Sequence, residues 1–313
     1  MKKKTALALG IFLMMLGSSR AGATQKRLQV ELYGGLAVIS PGDLNSIPEF
    51  FDAYFQFYYV DRYEYYRKVG YIQDYRAESK GPFRSLRMGF PAGLRVRYSV
   101  ASFLDLSLGI RGTWGSAATH NTMDIRLVDR NGVASDLRRL YDPLKISASG
   151  ITPLLGVHLR HKVAGRIGLE AFLAGGPLFG SILYTRKSRV ESSGAVSDSF
   201  LEEKGNGVGI ALEGGLRLDA WVRRDLALFL ETVYVYQTAS GFKGEGIVRS
   251  ASGEETWEGE WAMKEDYLAD YWGTRRLLLA SNSWTTEDEP LRRGDFKLDL
   301  SGVQVRVGIA LRL

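Results

Sequence analysis

The chain has no cysteine, so no disulfide can staple it in an oxidising compartment and no thiolate can hold a metal. It has only three histidines. His158 and His161 stand three apart, so on a strand they face opposite ways and cannot share a metal ion. There is no G-x-S-x-G, no zinc-ligand spacing and no phosphate-binding loop. These absences call for no metal and no cofactor, and leave an enzyme without positive support. After the N-terminal segment no run reaches the about 18 consecutive apolar residues of a helical membrane span. Charge of one sign is also scarce. The formal balance is +6, and Lys2, Lys3, Lys4 and Arg20 would leave with an export signal, bringing the rest near +2. Nothing in that balance asks for nucleic acid.

What the chain does have is alternation. The segment Leu298 to Leu313 reads LDLSGVQVRVGIALRL. Val303, Val305, Val307, Ile309, Leu311 and Leu313 share one face of a strand, and Gln304, Arg306, Gly308, Ala310 and Arg312 share the other. One face therefore meets an apolar medium and the other a polar one. Met1 to Ala23 carries the opposite signal. Lys2, Lys3 and Lys4 precede an apolar core, and Ala21-Gly22-Ala23 is a small-residue cleavage site. This is a secretory signal peptide (residues 1–23), which places residues 24–313 in one exported domain.

The alternating pattern recurs at about Lys26–Ile39, Met88–Val100, Phe103–Gly115, Gly150–Lys162, Arg166–Tyr184, Gly207–Ala220 and Leu226–Thr238, with Leu298–Leu313 the eighth. Three connections are tight: Ala101-Ser102, Ala164-Gly165 and Arg223-Arg224-Asp225. Four are long, at about residues 40–87, 116–149, 185–206 and 239–297. Short and long connections alternate strictly, as periplasmic turns and extracellular loops do in an outer-membrane barrel. The expected fold is all-β: an eight-stranded antiparallel transmembrane β-barrel with large extracellular loops. Its first and last strands pair, so no edge is left unbonded in lipid. Tyr98, Trp114, Phe179, Tyr234 and Tyr236 fall on the outward parity near strand ends, where aromatic girdles form. The 36 glycines suit a strongly curved sheet.

The long loops carry their own signals. Asn131-Gly132, Glu191–Val196 and Ser250–Glu254 read as hairpin tips, so the strands should continue as ribbons beyond the membrane. Ser46-Ile47-Pro48-Glu49 fits a capping box, with Ser46 as N-cap and Glu49 at N3. It introduces the aromatic run FFDAYFQFYYVDRYEYY, read as a surface helix followed by irregular chain.

Candidate functional residues fall into two groups. Inward parity collects six acids (Glu31, Asp105, Glu170, Glu213, Asp219, Glu231) and six bases (Arg95, Arg97, Arg111, Arg160, Arg217, Arg306), with His158 as a further member. An eight-stranded barrel has an interior just wide enough to be filled by side chains, so paired charges form a plug or, if pairs exchange, a gate. The second group is aromatic. Eight of the sixteen tyrosines lie between Tyr54 and Tyr75, among Arg62, Arg67 and Lys68, and the last loop adds Trp257, Trp261, Trp272 and Trp284. Tyr58, Tyr59, Tyr63, Tyr66, Trp261 and Trp272 are candidates for binding an extracellular ligand, or else they build a loop core of their own. His120 beside Asp124 would suit a surface protease or lipid hydrolase, as a further alternative.

With its export signal, eight strands, three tight turns and four long loops, the chain resembles the small outer-membrane barrel proteins of the OmpA/OmpX/OmpW type. The resemblance is architectural and transfers no site residue. It implies outer-membrane lipid and, during biogenesis, the barrel-assembly machinery as partners. In that family the closing strand usually ends in an aromatic residue read by that machinery, whereas this chain ends in Leu313. The function that follows is non-enzymatic: a charge-filled, porin-like barrel whose aromatic loops serve surface interaction or envelope integrity. A narrow channel for small or hydrophobic solutes is the alternative, with Phe172 and Phe229 lining its path.

Overall fold

The computed structural model describes residues 28–70, 74–80, 85–128, 131–192, 195–270, 273–281 and 292–313. The expected signal segment, residues 1–23, lies outside the described residues. In chain order the strands are β1 (Leu28–Ser40), β2 (Asp74–Lys80), β3 (Met88–Ala101), β4 (Leu104–Val128), β5 (Ala134–Ala164), β6 (Ile167–Ser192), β7 (Ala195–Trp221) and β8 (Leu226–Ser250). They continue with β9 (Gly253–Glu260), β10 (Ala262–Asp270), β11 (Gly273–Ser281), β12 (Arg292–Asp295), β13 (Leu298–Asp299) and β14 (Ser301–Arg312). Helix α1 (Ser46–Phe55) and helix α2 (Arg62–Lys68) lie between β1 and β2.

Eight of these strands bond into a ring in the order β1-β3-β4-β5-β6-β7-β8-β14, and β14 returns to β1 from Gln29↔Arg312 to Ser40↔Ser301. Every neighbouring pair is antiparallel, so the ring is an eight-stranded β-barrel with no free edge. The tight turns stand within a residue of their expected places, at residues 102–103, 165–166 and 222–225. Gly165 has φ +42°, which lets a two-residue turn reverse the chain without a Cβ penalty.

Period-two alternation decides what each face meets. Leu94, Leu108, Ile110, Leu155, Leu173, Leu212, Leu216 and Val307 all stand exposed on the outside. Trp114, Phe179, Tyr234 and Tyr236 are exposed at the long-loop end of the same belt. An aliphatic belt of this extent with an aromatic rim is the outer surface of a membrane-spanning barrel. No described helix is long and apolar enough to cross a membrane.

Beyond the belt the strands run on as ribbons. β4 pairs β5 out to Val128↔Ala134 around the Asn131-Gly132 turn, where Gly132 has φ +75°. β6 pairs β7 out to Ser192↔Ala195, and β8 pairs β9 across residues 251–252. β10, β11 and β12 form a separate three-stranded sheet.

The first loop departs from its expected form at both ends. Ser46 is the first residue of α1 and not its cap. A 3-10 turn at Gly42–Asn45 already makes the chain helical, and Asn45, the residue before the helix, caps nothing. Its side chain instead clamps Leu86: the Leu86 N–H donates to Asn45 Oδ1 at 2.9 Å and Nδ2 donates to the Leu86 carbonyl at 3.4 Å. The chain after α1 is not irregular either. A π-helical turn at Gln56–Asp61 leads into α2, and β2 then pairs the outer part of β4 from Asp74↔Val128 to Lys80↔Thr122. Long apolar side chains at 50, 51, 54 and 57 keep one helical face continuous, which is why the helix persists.

Candidate functional site

The barrel interior has two tiers. Towards the tight turns it is charged. Glu31 on β1 sits at the centre, accepting from Gln29 Nε2 (2.5 Å), Arg95 Nε (2.6 Å), Arg97 Nη1 (3.0 Å) and Arg217 Nη1 (2.8 Å). Arg97 Nη2 reaches Asp105 and Glu170, each at 2.6 Å. Arg160 also donates to Asp105, Arg95 to Glu231, and Arg217 Nε to Asp219 Oδ1 at 2.7 Å. Glu213 takes Arg111 and Arg306, and Arg306 stands 3.7 Å from Glu231. All twelve charged candidates therefore meet in one ion-pair network, and all but Arg160 are buried. Inward parity alone assembles them, because each lies on the face of its strand opposite the aliphatic belt.

His158 belongs to this network. Its Nδ1 lies 2.7 Å from Glu170 Oε1 and its Nε2 2.8 Å from Ser107 Oγ. A carboxylate only accepts, so Nδ1 carries a proton and donates to Glu170. Phe172 stacks on the imidazole with centroids 5.3 Å apart. Phe172 and Phe229 do not line an open apolar path. The Arg217 guanidinium lies 3.8 Å from the Phe229 ring centre, and the Arg95 guanidinium 5.4 Å from that of Phe172. Their rings cover buried cations and help fill the plug.

The second tier, towards the long loops, is largely apolar, so the charges expected from inward parity gather in the tier nearer the tight turns. Ala37, Ile39, Met123, Ile125, Leu140, Leu144, Ile146, Leu178 and Ile182 point inward and pack with Leu44, Ile47, Phe50 and Phe51 of the first loop. Helix α1 is therefore a stopper seated in the barrel mouth. One part-buried ion pair lies against it. Arg186 holds Asp142 with both ends of its guanidinium, Nε at 2.9 Å from Oδ1 and Nη2 at 2.6 Å from Oδ2, and stacks over Phe51 at 4.2 Å. Burial opposes the Arg186 charge, but the hydrogen bond to Asp142 and the Asp142 charge, with smaller help from Tyr184 and Tyr54, together outweigh it and raise the pKa. Asp142 shares inward parity with Leu140 and Leu144, a signal that could have been found in the strand pattern.

The aromatic candidates divide accordingly. Trp261 is not an exposed binding residue: only 2% of it is exposed, and it packs on Phe296 (5.4 Å), which in turn meets Phe242 (5.1 Å). Its indole N–H donates to the Lys204 carbonyl at 3.3 Å, so the loop folds its largest ring inward for want of any other apolar shelter. Tyr63 and Tyr66 on α2 are half-buried, with rings 5.9 Å apart. Trp272 and the side chains of Tyr58 and Tyr59 lie outside the described residues, as does the side chain of His120. Asp124 is engaged by Arg139 Nε at 2.7 Å. Among the described residues no group of three acidic, His or Cys side chains is placed to hold a metal.

One of the gaps in the barrel-wall ladders has a proline in each strand. Between Ile151↔Phe179 and Leu155↔Gly175 the β5–β6 ladder is interrupted, with Pro153 in one strand and Pro177 in the other. Neither proline has an N–H to give, so the ladder cannot close there.

No protein-family model matches the chain, and no curated protein matches it. Among solved structures it is similar to the outer membrane protein OprG from Pseudomonas aeruginosa, at 9% identity and a TM-score of 0.27, over 92% of this chain and 96% of that one. What establishes the barrel is its own closed strand ladder.

Proposed function

We propose that this chain is a non-enzymatic barrel of the bacterial outer membrane, of the OmpA/OmpX/OmpW kind, whose lumen is closed and whose long-loop end does its work. That end would meet an extracellular ligand or shield the envelope. Outer-membrane lipid surrounds the aliphatic belt in this reading, and the barrel-assembly machinery inserts the chain. The supporting observation is the double closure of the interior: a buried ion network below, and an apolar core stoppered by α1 above. Single-channel recording in a planar bilayer tests it. Wild-type protein should carry no steady current, and Glu231→Ala, which frees Arg95 and Arg217 of one partner, should show openings. Steady wild-type conductance would reject the closed lumen.

A second reading, a narrow route for small or hydrophobic solutes, draws on the interrupted β5–β6 ladder. Leu154 and Leu178 flank that interruption from the inside, and Leu178 belongs to the apolar tier. Uptake of an apolar fluorophore into vesicles containing the protein, against empty vesicles, separates the two readings.

A further inference from the structure

The two ends of the aliphatic belt differ in how their charges are met. At the long-loop end exposed bases are paired. Arg139 holds Asp124 at 2.7 Å, Arg189 holds Glu191 at 3.0 Å, Lys204 holds Glu245 at 2.5 Å and Arg249 holds Glu254 at 2.6 Å. At the tight-turn end Lys162, Arg166, Arg223 and Arg224 are exposed, and among the described residues none of the four holds a carboxylate. The acids of the neighbouring strands are engaged below them, Asp105 by Arg97 and Arg160, and Asp219 by Arg217. The three turns contain one acidic side chain, Asp225, which is half-buried.

These bases share one rim. Lys162 faces Gly168, two residues beyond Arg166, across the β5–β6 ladder. The start of β6 is joined to the end of β7 where the Trp221 N–H donates to the Arg166 carbonyl at 2.9 Å. The turn after β7 is joined to β14 where the Arg312 N–H donates to the Asp225 carbonyl at 2.8 Å. The rim is therefore a continuous arc from β5 to β14. Its turns are apolar where a turn in water would be polar. Phe103 and Val163 are each 58% exposed and Val222 is 49% exposed, and Ile167, Leu228 and Leu311 carry the belt up to them. Turns that leave such side chains uncovered stand in the membrane interface and not beyond it. The four bases are thereby held at headgroup depth. Their stems lie along apolar surface while the charge reaches outward, and at a rim with no wall beyond it they are free to lean over the edge.

We propose that this rim binds the headgroups of anionic phospholipids in the leaflet at the tight-turn end, with Lys162, Arg166, Arg223 and Arg224 as the cations. The proposal rests on the reading of the belt as lipid-facing. Charge complementarity selects the lipid: a zwitterionic headgroup brings its own cation, whereas an anionic one leaves a net negative charge for the rim. A guanidinium also takes two phosphate oxygens at once. The contact holds the barrel at a fixed depth in the bilayer.

Spin-labelled lipids test it. The full-length protein is folded into phosphatidylcholine vesicles, and the motionally restricted fraction of spin-labelled phosphatidylglycerol is compared with that of spin-labelled phosphatidylcholine. In about 10 mM salt phosphatidylglycerol should associate about threefold more strongly, and in about 1 M salt, where the Debye length is about 3 Å, the preference should vanish. The quadruple variant Lys162→Gln/Arg166→Gln/Arg223→Gln/Arg224→Gln should lose the preference at low salt as well. Arg223→Gln/Arg224→Gln should weaken it, and Lys204→Gln/Lys243→Gln, at the long-loop end, should keep it. Equal association of the two lipids with the wild type at low salt, or a preference that the quadruple variant retains, would overturn the proposal. Folded, heat-modifiable protein without a lipid preference refutes the rim alone. A chain that does not fold into vesicles at all refutes the membrane barrel and the rim with it.

Discussion

Arg217 on β7 places Nη1 2.8 Å from Oε1 of Glu31 on β1, a strand to which β7 is not bonded. The ion pair therefore crosses the lumen and ties two separated parts of the wall. Glu31 is shared by three arginines, so its loss strands three buried cations at once. Glu31→Leu should destabilise the folded barrel by ~3–5 kcal/mol in urea unfolding from lipid vesicles. Adding Arg217→Met to that variant should cost less than Arg217→Met alone, because the charge it removes is already unpaired. Additive effects would show that the pair is not coupled.

The aliphatic belt predicts a depth-dependent penalty. Leu173 stands outward, 72% exposed, between the Gly165 turn and Phe179. Leu173→Arg should cost about 2–4 kcal/mol when folding is measured in bilayers. Val196→Arg, at a ribbon tip beyond the belt, should change little. Equal effects at the two positions would deny that the belt faces lipid.

At the interruption in the β5–β6 ladder, backbone approaches backbone. A Cβ on Gly176 would lie 1.8 Å from the Pro153 carbonyl oxygen, whereas one on Gly168 would meet nothing nearer than 3.7 Å. Gly176→Ala should therefore impair refolding yield or shift the wall locally, and Gly168→Ala should refold as wild type does. Comparing the two on heat-modifiability gels decides it.

The stopper predicts a local effect. Phe51 is buried against Tyr184 and under the Arg186 guanidinium. Phe51→Ala removes that ring and should cost ~3–5 kcal/mol of the packing that seats α1. Trypsin should then cut after Arg67 or Lys68 faster than in the wild type, while the membrane-embedded strands remain protected.

Asp142→Asn tests the pair beneath the stopper. The pKa of Arg186 is raised in the folded state, so its contribution is complete below the unfolded value and fades only as pH rises through the higher folded one. The loss from Asp142→Asn, about 1.5–3 kcal/mol for a hydrogen bond to a charged group, should thus be the same at about pH 6 and about pH 9. A penalty that vanishes at the higher pH would mean that Arg186 is not the charged partner.

Strand number, turn positions and the face of each side chain were legible in the chain itself, because a closed barrel imposes one local rule on every strand. Val303 to Leu313 alternate whatever their neighbours do, and Glu31, Arg95 or Glu231 are assigned to the interior by parity alone. Local pattern also sufficed for the Asn131-Gly132 turn. It did not suffice where partners come from distant parts of the chain. That Glu31 serves three arginines and that Arg186 turns to Asp142 are facts of strand order and stagger around the ring. The apolar second tier and the burial of Trp261 were likewise decided only in three dimensions. A buried loop helix and a lipid-facing strand both satisfy the same preference for leaving water, and only the closed barrel says which apolar surface is inside.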